Sequence, residues 1–216
     1  MEQLSAWGDV TSENEQKVIT DNIELHPLRI ELLKTLSRIF NSDSIEYWID
    51  QGTLLGAHRN GKIIARDSDI DLALANSEHF NNLPELLEDQ LPSKYAWYKK
   101  PREGTNGFCV YLKDGGMCEG SFMGRKYSWE SISCDIGSYQ KENNHYVQEY
   151  PLFSVDTFLI PTDVLFPLGS IEFEGKSYPC PNKVKKYLEI EYGYIGENAV
   201  YDRDTDRYIP HIQQNL

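Results

Sequence analysis

The sequence lacks several features, and each absence closes off a class of function. Its four cysteines, Cys109, Cys118, Cys134 and Cys180, form no CxxC pair. A structural zinc site needs closer pairing or nearby histidines, so scattered reduced thiols are the expectation. Positive charge is scarce: 21 Lys and Arg stand against 34 Asp and Glu, a formal net charge of -13. Nucleic-acid backbones are gripped by clustered Lys and Arg, so no nucleic-acid partner is expected. The first residues, MEQLSAWGDVTSENEQ, carry neither a basic region nor an apolar run, unlike a signal peptide. Nowhere does an apolar stretch reach the ~18 residues that a membrane-crossing helix needs. The expected location is cytoplasmic, with no transmembrane segment. No repeat or low-complexity linker divides the chain.

What remains reads as one α/β domain over residues 21–193, with a polar arm at 1–20 and a polar tail at 194–216. Leu25, Leu28, Leu32, Leu36 and Ile39 recur at helical spacing and predict a helix with one apolar stripe. Ile45–Ile49 is short, aromatic and β-branched, as a buried strand is. A short helix should follow, capped by Thr53 and stopped by Gly61. DIDLAL is the next strand. Ser77 is placed to cap a helix that runs to Leu91, with Pro84 as its break point. From Tyr95 to Tyr150 the pattern is strands and turns, among them Asp114-Gly115 and the strand Ile132–Gly137. IEFEGKSYPCP reads as a hairpin turning at Gly175. NKVKKYLEIEYG reads as a helix with Asn182 as cap and Gly193 as stop.

One stretch does not fit an ordinary strand. Asp67, Asp69 and Asp71 fall within five residues, directly before aliphatics. A calcium loop would use them at positions 1, 3 and 5 with Glu78 at position 12, but its sixth position needs Gly and here is Leu72. A solvated acidic turn suits Asp202, Asp204 and Asp206 near the C-terminus better than it suits this cluster. On a strand Asp69 and Asp71 share one face while Ile70 and Leu72 take the other. Two carboxylates on one face of a half-buried strand call for a bridging cation. Paired carboxylates that hold divalent metal serve displacement at phosphorus. Upstream, Gly52-Thr53 lies between a strand and a helix start, where backbone N–H groups attract phosphate. Strand, Gly-Thr, helix, then Asp-x-Asp on a neighbouring strand is the layout of a nucleotidyltransferase fold.

The segment GTLLGAHRNGKIIARDSDIDLAL resembles the signature of LicD/fukutin-type phosphotransferases. Gly52-Thr53-Leu54-Leu55-Gly56, Arg59, Gly61, Ile64, Asp67, Asp69, Ile70 and Asp71 stand in that family's order and spacing. IEFEGKSYPCPNKVKKYLEIEYG resembles its closing pattern. Ala65-Arg66 departs from the Pro-Trp that the family usually has there. The resemblance implies a mixed sheet flanked by helices in one nucleotidyltransferase-fold domain, with Mg²⁺ or Mn²⁺ as cofactor. It implies transfer of a phospho-substituent, such as phosphocholine or a polyol phosphate, from a CDP-linked donor to a glycan or lipid-linked sugar hydroxyl, releasing CMP. It also implies a third acid on an adjacent strand, for which Asp135 is the candidate. Under this reading Asp69 and Asp71 hold the metal and Asp67 assists. Asp135 shares the metal or takes the acceptor's proton. Gly52 and Thr53 cradle a phosphate, and Arg59, Lys62 and Arg66 neutralise charge. Two alternatives stay open: a nucleotidylyltransferase that releases pyrophosphate, and an inactive nucleotide-binding module. Tyr95, Trp97, Tyr98, Tyr127 and Trp129 could line a cage for a quaternary ammonium by cation–π attraction, or simply fill the core.

Overall fold

The computed structural model describes residues 15–65, 67–75, 77–100, 107–122, 125–148, 158–196, 198–202, 205 and 207–211, with the backbone alone at 15–22, 119–122, 125–127 and 201. The elements run α1 (Glu15–Ser42), β1 (Tyr47–Ile49), α2 (Gln51–Asn60), β2 (Ile70–Leu74), α3 (Ser77–Gln90), β3 (Tyr95–Lys99) and β4 (Gly107–Leu112). Then follow β5 (Met117–Phe122), β6 (Arg125–Glu130), β7 (Ser133–Glu142), β8 (His145–Gln148), β9 (Leu159–Pro161) and α4 (Thr162–Leu165). The chain ends with β10 (Gly169–Phe173), β11 (Lys176–Cys180), α5 (Val184–Tyr192), β12 (Ala199–Asp202) and β13 (Arg207–Pro210).

The central path of the main sheet is β1-β2-β7-β4-β3, and β8 and β9 extend it from the far end of β7. β2 and β7 are parallel, whereas β1–β2, β4–β7 and β3–β4 are antiparallel. This is a mixed α/β fold in which helices cover the sheet. Alternation along β2 sends Ile70, Leu72 and Leu74 to one face and Asp71 and Ala73 to the other. The apolar face continues through Val110, Cys134 and Ile136, and is covered by buried Leu32, Leu36, Phe40, Phe80, Leu83 and Leu87 from α1 and α3. Phe80 meets Phe108 with ring centroids 4.9 Å apart. The chemistry is left to the opposite face.

Several expectations change. Helix α1 reaches back to Glu15, so residues 15–20 of the polar arm are helical. Its stripe is rotated: Leu28 is exposed, while Arg29 is fully buried beside Leu32, Leu33 and Leu36. Pro84 does not break α3, which runs on to Gln90. Helix α2 starts two residues before Thr53, with Asp50 at its N-cap. Helix α5 has Lys183 rather than Asn182 as cap, because the Asn182 amide donates to the carbonyls of Asp163 and Phe166. The polar tail holds a hairpin, β12–β13, tied to α5 by Arg207, which donates to Ile190 O at 2.7 Å. Asp202 lies on that hairpin, while Asp204 and Asp206 lie outside the described residues. The β10–β11 hairpin forms as expected, with Glu174 and Gly175 both at positive φ in its turn. Gly193 stops α5 at φ 84°.

Two glycines set how α2 approaches the acidic strand. Gly61 takes the left-handed conformation and donates to Gly56 O and Ala57 O, closing the helix. Gly56 faces the returning chain so closely that a Cβ there would stand 2.4 Å from Lys62 O. The neighbour is backbone and cannot swing aside. Gly56→Ala should therefore destabilise by about 1–3 kcal/mol through overpacking, despite alanine's better helix propensity. Chemical denaturation checks this, and an unchanged or higher midpoint would show that the loop yields.

Candidate metal centre

The parallel register of β2 and β7 sets Asp71 directly beside Asp135. Asp69 stands just before β2 and projects to the same side. One oxygen from each of Asp69, Asp71 and Asp135 lies within 4.8 Å of the others. Asp71 is buried, and Asp69 and Asp135 are half-buried. Such crowding resists ionisation. Burial raises the Asp71 carboxyl well above the ordinary range, and the charges of Asp69, Asp67, Asp135 and Asp50 add to it. Asp69 is pushed up to about 6, first by burial and then by Asp135, against the opposing charges of Lys100 and Arg29. Asp67 is raised by burial and by Asp69. Three hard carboxylate oxygens suit a divalent ion that prefers oxygen, and no His or Cys joins this group.

The loop before β2 is held from three sides. Gly52 leaves room for Asp67: a Cβ on Gly52 would meet Asp67 Oδ2 at 2.4 Å. The buried Thr53 Oγ1 accepts the Asp71 backbone N–H at 2.9 Å. From α1, the Arg29 guanidinium donates to Asp67 O at 3.1 Å and to Ser131 O at 3.1 and 2.7 Å. Asp67 precedes β2 and Ser131 precedes β7, so a single side chain staples the two loops that deliver the acids. Across the sheet, the Lys100 ammonium is ion-paired with Asp135 Oδ2, and both side chains are mostly buried.

A second polar cluster lies under the start of α2. The buried Asp50 carboxylate accepts from Tyr187 at 2.6 Å and from Tyr139 at 3.1 Å. Tyr139 also reaches Glu191 Oε1 at 2.9 Å. Burial, above all, holds both carboxyls above the ordinary range.

The structure thus gathers Asp67, Asp69, Asp71, Asp135, Gly52 and Thr53 at one corner. It sends two expected cations elsewhere. Arg59 donates to the carbonyls of Ile195 and Gly196, and Lys62 is ion-paired with Glu174 at 3.1 Å. Arg66 lies outside the described residues. The calcium-loop alternative fails because Asp71 and Leu72 sit in a strand paired on both sides. The five aromatics do not form one cage. Tyr98 shares the acid face through the cross-strand pairs Tyr98–Cys109 and Cys109–Asp135, whereas alternation turns Tyr95 and Trp97 to the other face. Trp97 packs there on Phe108, and the Tyr127 side chain lies outside the described residues. Sequence reasoning missed Arg29 and Lys100. Arg29 had a signal, since it follows Leu25 by four and precedes Leu32 and Leu36 by three and seven, on the apolar stripe itself. Lys100 had none, because nothing local says that the end of β3 reaches Asp135.

A family model for the LicD/FKTN/FKRP nucleotidyltransferase domain matches residues 44–183, more than half of the chain and all of the acid corner. The chain belongs to the LicD family. It is similar to the mouse protein named ribitol 5-phosphate transferase FKRP, 27% identical over 76% of this chain and 31% of that protein. It is similar to human ribitol-5-phosphate transferase FKTN, 24% identical over 86% of this chain and 36% of that protein. An uncharacterized protein of Rickettsia prowazekii is 26% identical over 74% of this chain and 53% of its own length. The chain therefore spans about a third to a half of these relatives. Among the described residues, no helix is long and apolar enough to cross a membrane.

The raised carboxyls give this LicD domain an unusual response to pH. A group whose folded pKa exceeds its unfolded value stabilises the fold when protonated. That contribution is full below the unfolded pKa and is lost as pH rises through the folded value. Asp69, at about 6, and the raised Asp67 and Asp71 all act in this sense. In EDTA the melting temperature should rise between about pH 7.5 and about pH 5.5, and Asp71→Asn should flatten the slope. A melting temperature that falls steadily with acid in this window would contradict the crowding of charge described here.

Proposed function

We propose that this chain is a divalent-metal-dependent phosphotransferase. It moves a phospho-substituent, ribitol phosphate or a related polyol phosphate or phosphocholine, from a CDP-linked donor to a hydroxyl of a glycan or lipid-linked sugar, and CMP leaves. The observation that carries this reading is the convergence of Asp69, Asp71 and Asp135 within 4.8 Å on one sheet face. The names of the FKRP and FKTN relatives support the ribitol end of the range.

Bound at the three acids, Mg²⁺ or Mn²⁺ would draw phosphate oxygens toward the carboxylates and stabilise charge on the transferring group. The chain's own residues supply position. Asp71 and Asp135 are fixed by strand register, and Thr53 fixes the Asp71 backbone. Asp67, seated on Gly52, backs Asp69. The N-terminal turn of α2 stands next to this set and offers backbone N–H groups to a phosphate. Lys100 brings positive charge to the Asp135 side, where Arg59 and Lys62 do not.

Binding of metal and donor should be mutually reinforcing, since linkage makes the enhancement equal in both directions. With CDP-ribitol and Mg²⁺ together, the melting temperature should rise by more than the two separate shifts combined. Asp69→Asn and Asp71→Asn should abolish the synergy and turnover while melting cooperatively. Equal donor-induced shifts in EDTA and in Mg²⁺ would overturn the metal reading and favour an inactive binding module. Chromatography of the products separates the chemistries: CMP is expected, and pyrophosphate would mark nucleotidyl transfer instead.

A further inference from the structure

Lys100 has a place in this site that its sequence gives no hint of. It follows the last residue of β3, and its backbone N–H donates to Gly107 O at 3.0 Å, so its Cα is anchored to the sheet. Two residues earlier, Tyr98 pairs across to Cys109, and Cys109 to Asp135. Lys100 therefore rises on the acid face, and its ammonium meets Asp135 Oδ2 with 16% and 18% of the two side chains exposed. Among the described residues it is the cation ion-paired to a member of the acid triad.

Arg29, a second nearby cation among the described residues, is built differently. Arg29 spends its planar fork on two backbone carbonyls, Ser131 O and Asp67 O, and is fully buried. It cannot leave without orphaning both. Lysine is a point charge on a flexible stem with rotatable donors, so its head can change partner while its Cα stays in place. A divalent ion at the triad and an ammonium on Asp135 also compete. Both are cations drawn to the same carboxylate, and each disfavours the other.

We propose that Lys100 is an exchangeable counter-cation: it holds the Asp135 corner of the triad before metal binds, and passes to the donor's diphosphate once a divalent ion takes the carboxylates. Lysine would then oppose metal binding by itself and favour the nucleotide in the loaded site. The inference rests on the reading that the triad binds metal and a nucleoside diphosphate. Lys100 acts here as a donor-binding cation and exchanges no proton in this scheme.

The two halves of the exchange have opposite signs, which a merely structural lysine would not produce. Calorimetry with Mn²⁺ alone, and with CDP at saturating Mn²⁺, reads both. Lys100→Met should bind Mn²⁺ about tenfold more tightly, as loss of a nearby like charge predicts. It should bind CDP about tenfold more weakly, as loss of a charge-assisted phosphate contact predicts. Lys100→Arg, which keeps the charge, should move both constants back toward wild type. Lys100→Gln should repeat the signs of Lys100→Met, so a folding defect in one variant leaves the comparison intact. If Lys100→Met and Lys100→Gln weaken both ligands, or leave either unchanged, the exchange is refuted while the metal site stands. If the wild-type protein takes up no Mn²⁺, the metal reading and the exchange fall together.

Discussion

Repulsion among carboxylates at one end of two parallel strands is the constraint on which the rest of this structure depends. Two unit charges some 5 Å apart in a partly solvated protein setting repel by on the order of 3–4 kcal/mol. A domain of this size has only about 5–15 kcal/mol of net stability to lose. The four acids Asp67, Asp69, Asp71 and Asp135 cannot relieve the conflict by moving apart. Asp71 and Asp135 are neighbours in a parallel ladder, and slipping the register by one residue would turn Ile70 and Leu72 into the site and the aspartates into the core. The charge is answered in place. Burial and mutual repulsion raise the Asp69 and Asp71 carboxyls, so protonation relieves part of it as pH falls. Lys100 answers at Asp135.

Arg29 explains how the corner is kept in shape. The loops before β2 and β7 end side by side, because the strands they feed are parallel. Each loop exposes a carbonyl to the interior, Asp67 O in one and Ser131 O in the other, and the Arg29 fork bonds both. A buried arginine on a helix stripe is costly unless its donors are satisfied. Here its bonds set a cation where it also lowers the local field; burial pulls its pKa down, and Asp69 and Asp67 oppose that by favouring its charge. Fold stability and site geometry therefore meet in one side chain.

How much of this was legible depended on whether the cause was local. The acidic strand, the glycine-punctuated helix α2, the β10–β11 hairpin and the Gly193 stop are written in neighbouring residues, and the structure has them. Asp135 was legible as a candidate because the family resemblance implied a third acid, and this one sits in a short apolar strand downstream. The partners of Arg59 and Lys62 were not, since Ile195, Gly196 and Glu174 lie more than a hundred residues away in sequence. Thr53 shows the limit most clearly. Its place after Gly52 suggested a helix cap facing phosphate, yet the helix begins earlier and its hydroxyl is buried on the Asp71 amide. Only the tertiary pairing of α2 with β2 decides that.

The same pairing accounts for the coexistence of the two signature-like segments, which lie far apart in the chain. In KKYLEIEYG, Tyr187 and Glu191 are four residues apart and so share one face of α5. That face meets the start of α2: Tyr187 donates to Asp50 Oδ1, Tyr139 donates to Asp50 Oδ2 and bonds Glu191, and the Trp48 indole reaches Tyr187 at 3.4 Å. Asp50 is also bound through its backbone. Its N–H donates to Asp71 O, and its carbonyl accepts from Leu54 N. One residue thus joins the acidic strand, the first turn of α2 and the closing helix. Among the described residues of this network Glu191 Oε2 alone makes no hydrogen bond, so it is satisfied in large part rather than completely. Through these bonds the closing helix forms a wall of the site: Tyr187 holds Asp50, Asp50 caps the Gln51–Thr53 turn, and that turn seats Asp67 and Asp71.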